Sequence, residues 1–418
     1  MQESTLLNMN IILQKSSIKK KSAIQITGSK SESNRLLLLQ ALYPEINIEN
    51  VSNSDDSQLM TKALASKEQV IDIHHAGTAM RFLTAYFATQ NNRETIVTGS
   101  KRMKERPIKI LVDALNQLGA DILYKENEGY PPLLIKGKQL TKSKVSLDAN
   151  VSSQYISALL LIASKLENGL ELTLNGKITS VPYINMTLSL LNELNIESKF
   201  EGNVITVKPL QEKVEPKTLI VESDWSSASY FYSIVALAEV GTLIEISSYK
   251  KDSLQGDSAL SEIYKSFGVT TIFKGNTVLI EKTTNVDFKT AIDFDLANSP
   301  DIAQTISVTA FALGLESNLT GLHTLKIKET DRLEALKTEI EKLGGEVEIT
   351  NKSLHLKKSS RIKENVVVAT YNDHRMAMAF APLALKTPLE IEDYMVVSKS
   401  YPTFWDDLKQ LGFQFNIK

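Results

Sequence analysis

Five helical segments in this chain run out on a similar pair of residues: Leu118-Gly119, Leu194-Asn195, Phe267-Gly268, Leu343-Gly344 and Leu411-Gly412. Gly or Asn just past the last turn is the usual left-handed helix cap, because few other residues tolerate positive φ. The caps follow one another at intervals of 76, 73, 76 and 68 residues. Four similar intervals predict a repeated unit of about 70 residues, and no other feature restricts the possible folds as much.

Each unit reads as strand, helix, strand, helix and two short strands, an α/β (α+β) pattern. Behind the first four caps lie paired strand-like runs, at 122–124 with 133–135, 197–200 with 204–207, 270–273 with 278–280 and 347–349 with 354–356. The fifth cap leaves only residues 413–418, one strand short. The simplest repair takes the missing strand from the N-terminus, at 11–13 or 23–27. A sixth, weaker unit covers 31 to about 70, with helices expected at 31–43 and 55–66. Six such units account for the whole length. Grouped three and three, they predict two similar domains, 1–28 plus 222–418 and 29–221, with chain crossings near Gly28 and near 221–224.

The 418 residues carry a formal charge of −2, so no global basic field recruits nucleic acid or an anionic membrane. An anion site would have to be a local concentration of cations. The chain has no cysteine, which removes disulfides, thiolate nucleophiles and cysteine-based zinc sites. Its five histidines (His74, His75, His323, His355 and His374) show no metal-ligand spacing. With no basic leader at the N-terminus and no long apolar run, the expectation is a soluble cytoplasmic protein.

Helix starts are where the chemistry gathers. TGSKSESNR, Thr27 to Arg35, follows an apolar strand and opens a helix. Its serines suit capping, while its free backbone N–H groups, with Lys30 and Arg35, suit a phosphate or carboxylate. HAGTAMRFL starts a second helix at Gly77, where tight packing or an anion would each explain the glycine. In RMKERP, Arg106 stands beside a helix start at Pro107, where a cation opposes the helix dipole. That unfavourable placement suggests a use such as gripping a carboxylate. VSSQYISALLL supplies Ser152, Ser153 and Gln154, and a further helix begins near Ser180 and Tyr183. On local grounds these are ordinary caps, as is DWSSASYF at Asp224.

KIKETDRLEAL is the strongest local pattern. Asp331 with Glu334 reads as a capping box, which leaves Lys328, Glu329 and Arg332 unexplained. Asp301 in SPDIAQTI is placed to cap the next helix. NDHRMAMAF puts His374 and Arg375 at a helix mouth, and Lys399 falls on an expected loop before Pro402. Should these ends converge, about seven cations (Lys30, Arg35, Arg106, Lys328, Arg332, Arg375 and Lys399) would face one cleft. Two phosphorylated, carboxylated ligands would match them, at about −1.5 to −2 per phosphate. Asp301 and Glu329 repel anions, so they make sense as proton-transfer groups.

Together GSKSESNR, AGTAMR, RMKERP, SSQYISALL, KETDRL and NDHRMAMAF resemble the 5-enolpyruvylshikimate-3-phosphate synthase family, in order and from Lys30 to Lys399. The resemblance implies an enolpyruvyl transferase fold of two domains, each of three βαβαββ units, joined by two hinge crossings. It implies transfer of the enolpyruvyl group of phosphoenolpyruvate to the 5-hydroxyl of shikimate 3-phosphate, without metal or organic cofactor. Carried over by motif, Ser31, Arg35, Ser152, Ser153, Ser180 and Lys328 would hold shikimate 3-phosphate. Gly77, Arg106, Arg332, Arg375 and Lys399 would hold phosphoenolpyruvate, and Lys30 and Gln154 would reach both. Asp301 would take the hydroxyl proton. Glu329, helped by Lys30, would serve the methylene carbon, and His374 would assist.

Three departures from the family pattern stand out: His75 in place of Asn, Phe82 in place of Pro, and Thr324 in place of Asn. A site containing Gly77 is expected to be inhibited by glyphosate in competition with phosphoenolpyruvate. The chain is expected to act as a monomer on small molecules. The rival readings are a UDP-N-acetylglucosamine enolpyruvyl transferase, whose members typically use a cysteine, and a non-catalytic binder of phosphorylated metabolites.

Overall fold

The computed structural model describes residues 9–148, 152–176, 178, 181–210, 212–286 and 291–418. All five caps sit at positive φ: Gly119 at 102°, Asn195 at 59°, Gly268 at 73°, Gly344 at 99° and Gly412 at 116°. The four predicted hairpins form at Asp121–Tyr124 with Leu133–Lys136, Ser198–Glu201 with Val204–Val207, Val269–Lys274 with Thr277–Lys282, and Val347–Ile349 with Leu354–Leu356. In each case the second hairpin strand also pairs antiparallel with an earlier strand, and that one pairs parallel with a fourth. Glu94–Thr98, for instance, lies antiparallel to Leu133–Lys136 and parallel to Val70–Asp72. The parallel pair needs a crossover helix between its strands, which is what fixes the βαβαββ order.

The chain divides into two compact units, one of Thr27–Glu222 and one of the chain up to Ile26 with Ser223–Lys418. Each has its own apolar core. Ile11–Leu13 lies between Leu389–Ile391 and Phe415–Ile417, antiparallel to both, with Ile11 and Leu13 fully buried. The segment 23–27 does not fill that place. Lys21–Ile24 instead runs parallel to Leu243–Ser247 in another sheet.

The weak sixth unit departs from the pattern. Its helices, Lys30–Leu42 and Asp55–Ala65, are there, but its sheet is a single parallel pair, Ile46–Glu49 with Lys217–Ile220. Strands separated by some 170 residues make up this pair, so no local hairpin marked it in the sequence. Gly28 sits where the ends of those strands come close. A Cβ there would lie 1.9 Å from the Asn50 carbonyl oxygen and 2.7 Å from Val221 Cγ1, so only glycine fits.

Helices divide into inner and outer sets. The outer ones are amphipathic: Phe404–Leu411 buries Phe404, Trp405, Leu408 and Leu411 and exposes Asp406, Lys409 and Gln410. The inner ones are buried nearly all round. Gly77–Ala88 buries every residue, and Lys30–Leu42 buries Leu36 to Leu39 without a break. The inner helices of the Thr27–Glu222 unit are Lys30–Leu42, Gly77–Ala88 and Ser153–Ala163, which pack on one another. In the other unit, Trp225–Leu237, Ala303–Ala312 and His374–Phe380 do the same. Polar side chains at the starts of these buried helices are therefore held by rigid surroundings. Among the described residues, no helix is long and apolar enough to cross a membrane.

Candidate active site

In the Ser223–Lys418 unit, the starts of the three inner helices meet at one guanidinium. Arg375, second residue of His374–Phe380, donates from Nη1 to the Asp301 carbonyl at 3.0 Å and from Nη2 to Ser226 Oγ at 3.2 Å. The Asp301 carboxylate lies 3.5 Å from Nη2. Burial by itself would push Arg375 down, but Asp301 first, then Tyr230 and Asp257, hold it well above the ordinary arginine value. Asp301 belongs to a single tight turn, Pro300–Ile302, whose N-cap is Ser299. The N-cap position of helix Ala303–Ala312 falls to Ile302 and not to Asp301, whose carboxylate lies against Lys328, Arg332 and Arg375.

Arg332 is the hub of the cluster. Only 2% exposed, it donates from Nε to Asp373 Oδ2 at 2.6 Å, from Nη1 to Asp301 Oδ1 at 2.8 Å and from Nη2 to Glu329 Oε2 at 2.8 Å. Burial pulls its basicity down, and Asp373, Glu329 and Asp301 together outweigh that. Lys328 Nζ stands 3.4 Å from the same Asp301 oxygen. The cap expected at Asp331 forms, accepting from the N–H groups of Leu333 and Glu334 at 3.1 and 3.2 Å. Helix Arg332–Lys342 is thereby started with Arg332 as its first residue.

The loop before Arg375 is held in a costly shape. Tyr371 and Asn372 have φ of 54° and 59°, where non-glycine residues are strained. Glu339, fully buried one face along the helix from Arg332, fixes them by accepting from Tyr371 Oη at 2.6 Å and from the Ala369 N–H at 3.2 Å. Lys399 ends the turn Tyr394–Lys399, so it does not lie on an open loop, and it donates to the Asn372 carbonyl at 2.7 Å. His374 is 2% exposed, with Nδ1 3.8 Å from Asp373 Oδ1.

The Thr27–Glu222 unit presents a second set. The Arg106 guanidinium lies over the start of helix Gly77–Ala88, so close that a Cβ on residue 77 would be 2.6 Å from Nη1. Room for that cation explains Gly77 better than strand packing does. Behind it Arg81, 5% exposed, donates to the Gly77 carbonyl at 3.0 Å and the Pro107 carbonyl at 3.3 Å. Burial, and then Arg106, lower Arg81 to about 10. Gln154 Nε2 donates to Thr78 Oγ1 at 3.1 Å, and Ser152 caps the helix Ser153–Ala163 on which Gln154 sits.

The first motif folds differently from its expectation. Ser29 is the N-cap of Lys30–Leu42 but makes no capping hydrogen bond. Ser33 Oγ accepts from the Ser52 N–H at 2.9 Å, so that hydroxyl is spent on neighbouring chain. Arg35 was expected to present a cation to a ligand, yet it is 2% exposed. It donates to Thr187 Oγ1 and Ser157 Oγ at 2.8 Å each and to the Ser31 carbonyl at 2.6 Å, one turn back on its own helix. Desolvation lowers it to about 10, with Tyr183 and Glu32 opposing. It supports the helix start that carries Lys30 and Ser31. Ser180 lies outside the described residues.

Asp301, Lys328, Glu329, Arg332 and Arg375 are thus linked through Asp301 and Arg332 in one unit, and Gly77, Arg106 and Gln154 adjoin in the other. Sequence reading missed Asp373, Arg81, Thr78, Ser226 and Asp257. Asp373 could have been found, because an Asp directly before His374-Arg375 is a cap candidate. Asp257 gave no sign, lying 31 residues from its partner Ser226 in a stretch without periodicity.

The departures also find places. Phe82 is fully buried with its ring 5.5 Å from the Arg35 guanidinium carbon, a cation–π contact that a proline could not supply. His75 Nε2 lies 3.9 Å from Asp55 Oδ2. Thr324 precedes the turn Leu325–Ile327, and its buried Oγ1 has no hydrogen-bond partner among the described residues.

Comparison with known proteins agrees in one direction. Residues 62–408 match the family model for EPSP synthase (3-phosphoshikimate 1-carboxyvinyltransferase). A 3-phosphoshikimate 1-carboxyvinyltransferase of Bacteroides fragilis is 47% identical over 402 residues, 95% of this chain and 97% of its own length. The namesake from Histophilus somni is 36% identical, covering 93% of this chain and 96% of itself. Among solved structures, an EPSP synthase from Acinetobacter baumannii superposes with a TM-score of 0.80 at 20% identity, over 98% of this chain and 100% of that one. An enolpyruvyl transferase from Streptomyces tendae gives 0.75 at 13% identity, over 98% of each. These two show the fold, which is that of the enolpyruvyl transferases.

Proposed function

The chain belongs to the family of EPSP synthases, the 3-phosphoshikimate 1-carboxyvinyltransferases, and from that premise we propose the reaction it carries out and the part of each residue. It transfers the enolpyruvyl group of phosphoenolpyruvate to the 5-hydroxyl of shikimate 3-phosphate, on the route to the aromatic amino acids. A proton adds to the methylene carbon and the hydroxyl oxygen bonds to the adjacent carbon, giving a tetrahedral intermediate. The carbon–phosphate oxygen bond then breaks, the methyl carbon returns a proton, and inorganic phosphate leaves.

One observation carries the assignment. Asp301 and Glu329 each accept from a separate nitrogen of Arg332 at 2.8 Å, so two carboxylates are set apart by a buried cation. Asp301 is the base for the hydroxyl proton, and Glu329 exchanges the proton at the methylene carbon, with Lys30 and His374 assisting. Arg332, Arg375, Lys399, Arg106 and Gly77 take phosphoenolpyruvate. Lys328, Ser31, Ser152, Ser153 and Ser180 take shikimate 3-phosphate, and Lys30 and Gln154 serve both. Arg35 works through Ser31 and not by touching the ligand.

Lys328, Arg332 and Arg375 all touch Asp301 in this structure. A phosphate that draws those cations away leaves a carboxylate that holds a proton more readily, so ligand binding prepares the base. The protein is taken to be a cytoplasmic monomer, and glyphosate to compete with phosphoenolpyruvate. Because the chain has no cysteine, UDP-N-acetylglucosamine is a poor second candidate as acceptor.

The deciding experiment is phosphate release from phosphoenolpyruvate with shikimate 3-phosphate or UDP-N-acetylglucosamine as acceptor, chelator present. Release with shikimate 3-phosphate alone supports the assignment. Binding of both ligands without release would refute it in favour of a metabolite-binding role. Asp301→Asn should lower kcat by about 10²–10⁴-fold with both ligands still bound, as expected when a general base is lost.

A further inference from the structure

We propose that Asp257, acting through the hydroxyl of Ser226, positions the Arg375 guanidinium for its anionic substrate and so sets the affinity for phosphoenolpyruvate. The inference rests on the assignment of Arg375 to that substrate made above.

Ser226 Oγ has one proton to give. It faces the Nη2 donor of Arg375 at 3.2 Å on one side and Asp257 Oδ2, in a very short contact, on the other. Arginine cannot accept, so the hydroxyl donates to the carboxylate and receives from the guanidinium. Such a chain polarises each link, and it locks the orientation of the hydroxyl lone pair toward Arg375. With the Asp301 carbonyl holding Nη1, the planar guanidinium is fixed at two of its nitrogens.

The fold has no need of this chain for itself. Helix Trp225–Leu237 is capped by Asp224, which accepts from the Ser227 N–H at 2.9 Å. Gln255 takes the Trp225 N–H at 3.0 Å and ties its own amide to the Ser223 carbonyl at 2.9 Å. Ser226 and Asp257 are left over once the helix start is satisfied. Asp257 is also an expensive residue to keep: it is 3% exposed, and its Oδ1 has no hydrogen-bond partner among the described residues. A half-satisfied buried carboxylate is a stability cost, which calls for a return elsewhere.

The test is steady-state kinetics on Ser226→Ala, Ser226→Thr and Asp257→Asn, with Arg375→Ala as reference and circular dichroism to confirm folding. Ser226→Ala and Asp257→Asn should each raise KM for phosphoenolpyruvate about tenfold, the scale of one hydrogen bond to a charged group. The KM for shikimate 3-phosphate should stay within about twofold, and kcat should change far less than that tenfold. Ser226→Thr retains the hydroxyl and should restore most of the affinity. If Arg375→Ala raises the phosphoenolpyruvate KM but Ser226→Ala and Asp257→Asn do not, the positioning role is overturned. Equal rises in both KM values would mark Ser226 as merely structural and overturn it too. If Arg375→Ala itself leaves the phosphoenolpyruvate KM unchanged, the underlying assignment of Arg375 fails instead.

Discussion

At the scale of single residues, the molecule accepts local costs where charge has to be held in place. Asp257 is one case. Burial first, and Asp301 second, push its carboxyl up to about 7, above the unfolded-chain value of about 3.9. Between those values the folded protein keeps a proton that the unfolded chain has lost, so this residue makes stability fall as pH rises through that window. Asp257→Asn removes the term, and urea midpoints measured from pH 4 to pH 7 should fall less steeply in the variant than in the parent. Gly77 is a second case. Its missing Cβ is what lets the Arg106 guanidinium rest at the helix start, since a Cβ there would lie 2.6 Å from Nη1. Gly77→Ala should displace that cation, raising the phosphoenolpyruvate KM by about tenfold on the scale of one charged contact. Glyphosate inhibition should weaken alongside, and initial-rate kinetics with and without the herbicide check both effects.

At the scale of elements, a capped outer helix and three buried inner ones do separate work. Helix Arg332–Lys342 carries Arg332 at its first turn and Glu339 seven residues on, both buried, so one face grips both ends of the 369–375 loop. Its start depends on Asp331. Asp331→Ala removes two capping bonds and should cost about 1 kcal/mol by urea denaturation. Turnover should fall further than that loss of stability explains, because Arg332 and Glu329 flank the cap. The inner helices were legible as helices from their apolar runs, and the outer ones from their Gly and Asn stops. What was not legible is that Arg35 is consumed by Thr187 and Ser157, residues more than 120 positions away. A cation at a helix start looks the same in sequence whether it faces a ligand or a buried hydroxyl.

At the scale of the whole molecule, the chain leaves one compact unit at Ile26 and returns to it at Ser223. That unit therefore depends on a strand from the far end of the sequence. Ile11–Leu13 is paired on both sides and buries two aliphatic side chains, each worth about 1.5–3 kcal/mol. Deleting residues 1–14 should lower the stability of the Ser223–Lys418 unit by several kcal/mol, on the order of that burial plus the lost ladder. Hydrogen exchange would show the loss in Leu389–Ile391 and Phe415–Ile417, while amides of Gly77–Ala88 and Ser153–Ala163 keep their protection.

The sequence by itself determined the elements and their order. Helix stops, hairpins and periodicity are local, since φ preference and a single capping residue act within a few positions, and the repeat made them countable. Shared motifs also gave the family and the residue types of the chemistry. Tertiary structure alone decided which charges meet. The pairing of Ile46–Glu49 with Lys217–Ile220, the Asp301 and Asp373 carboxylates on Arg332 and the link from Ser226 to Asp257 join residues that no local rule connects. Packing of the buried helices brings them within hydrogen-bond reach, and burial then makes every unmet charge costly enough to fix its partner.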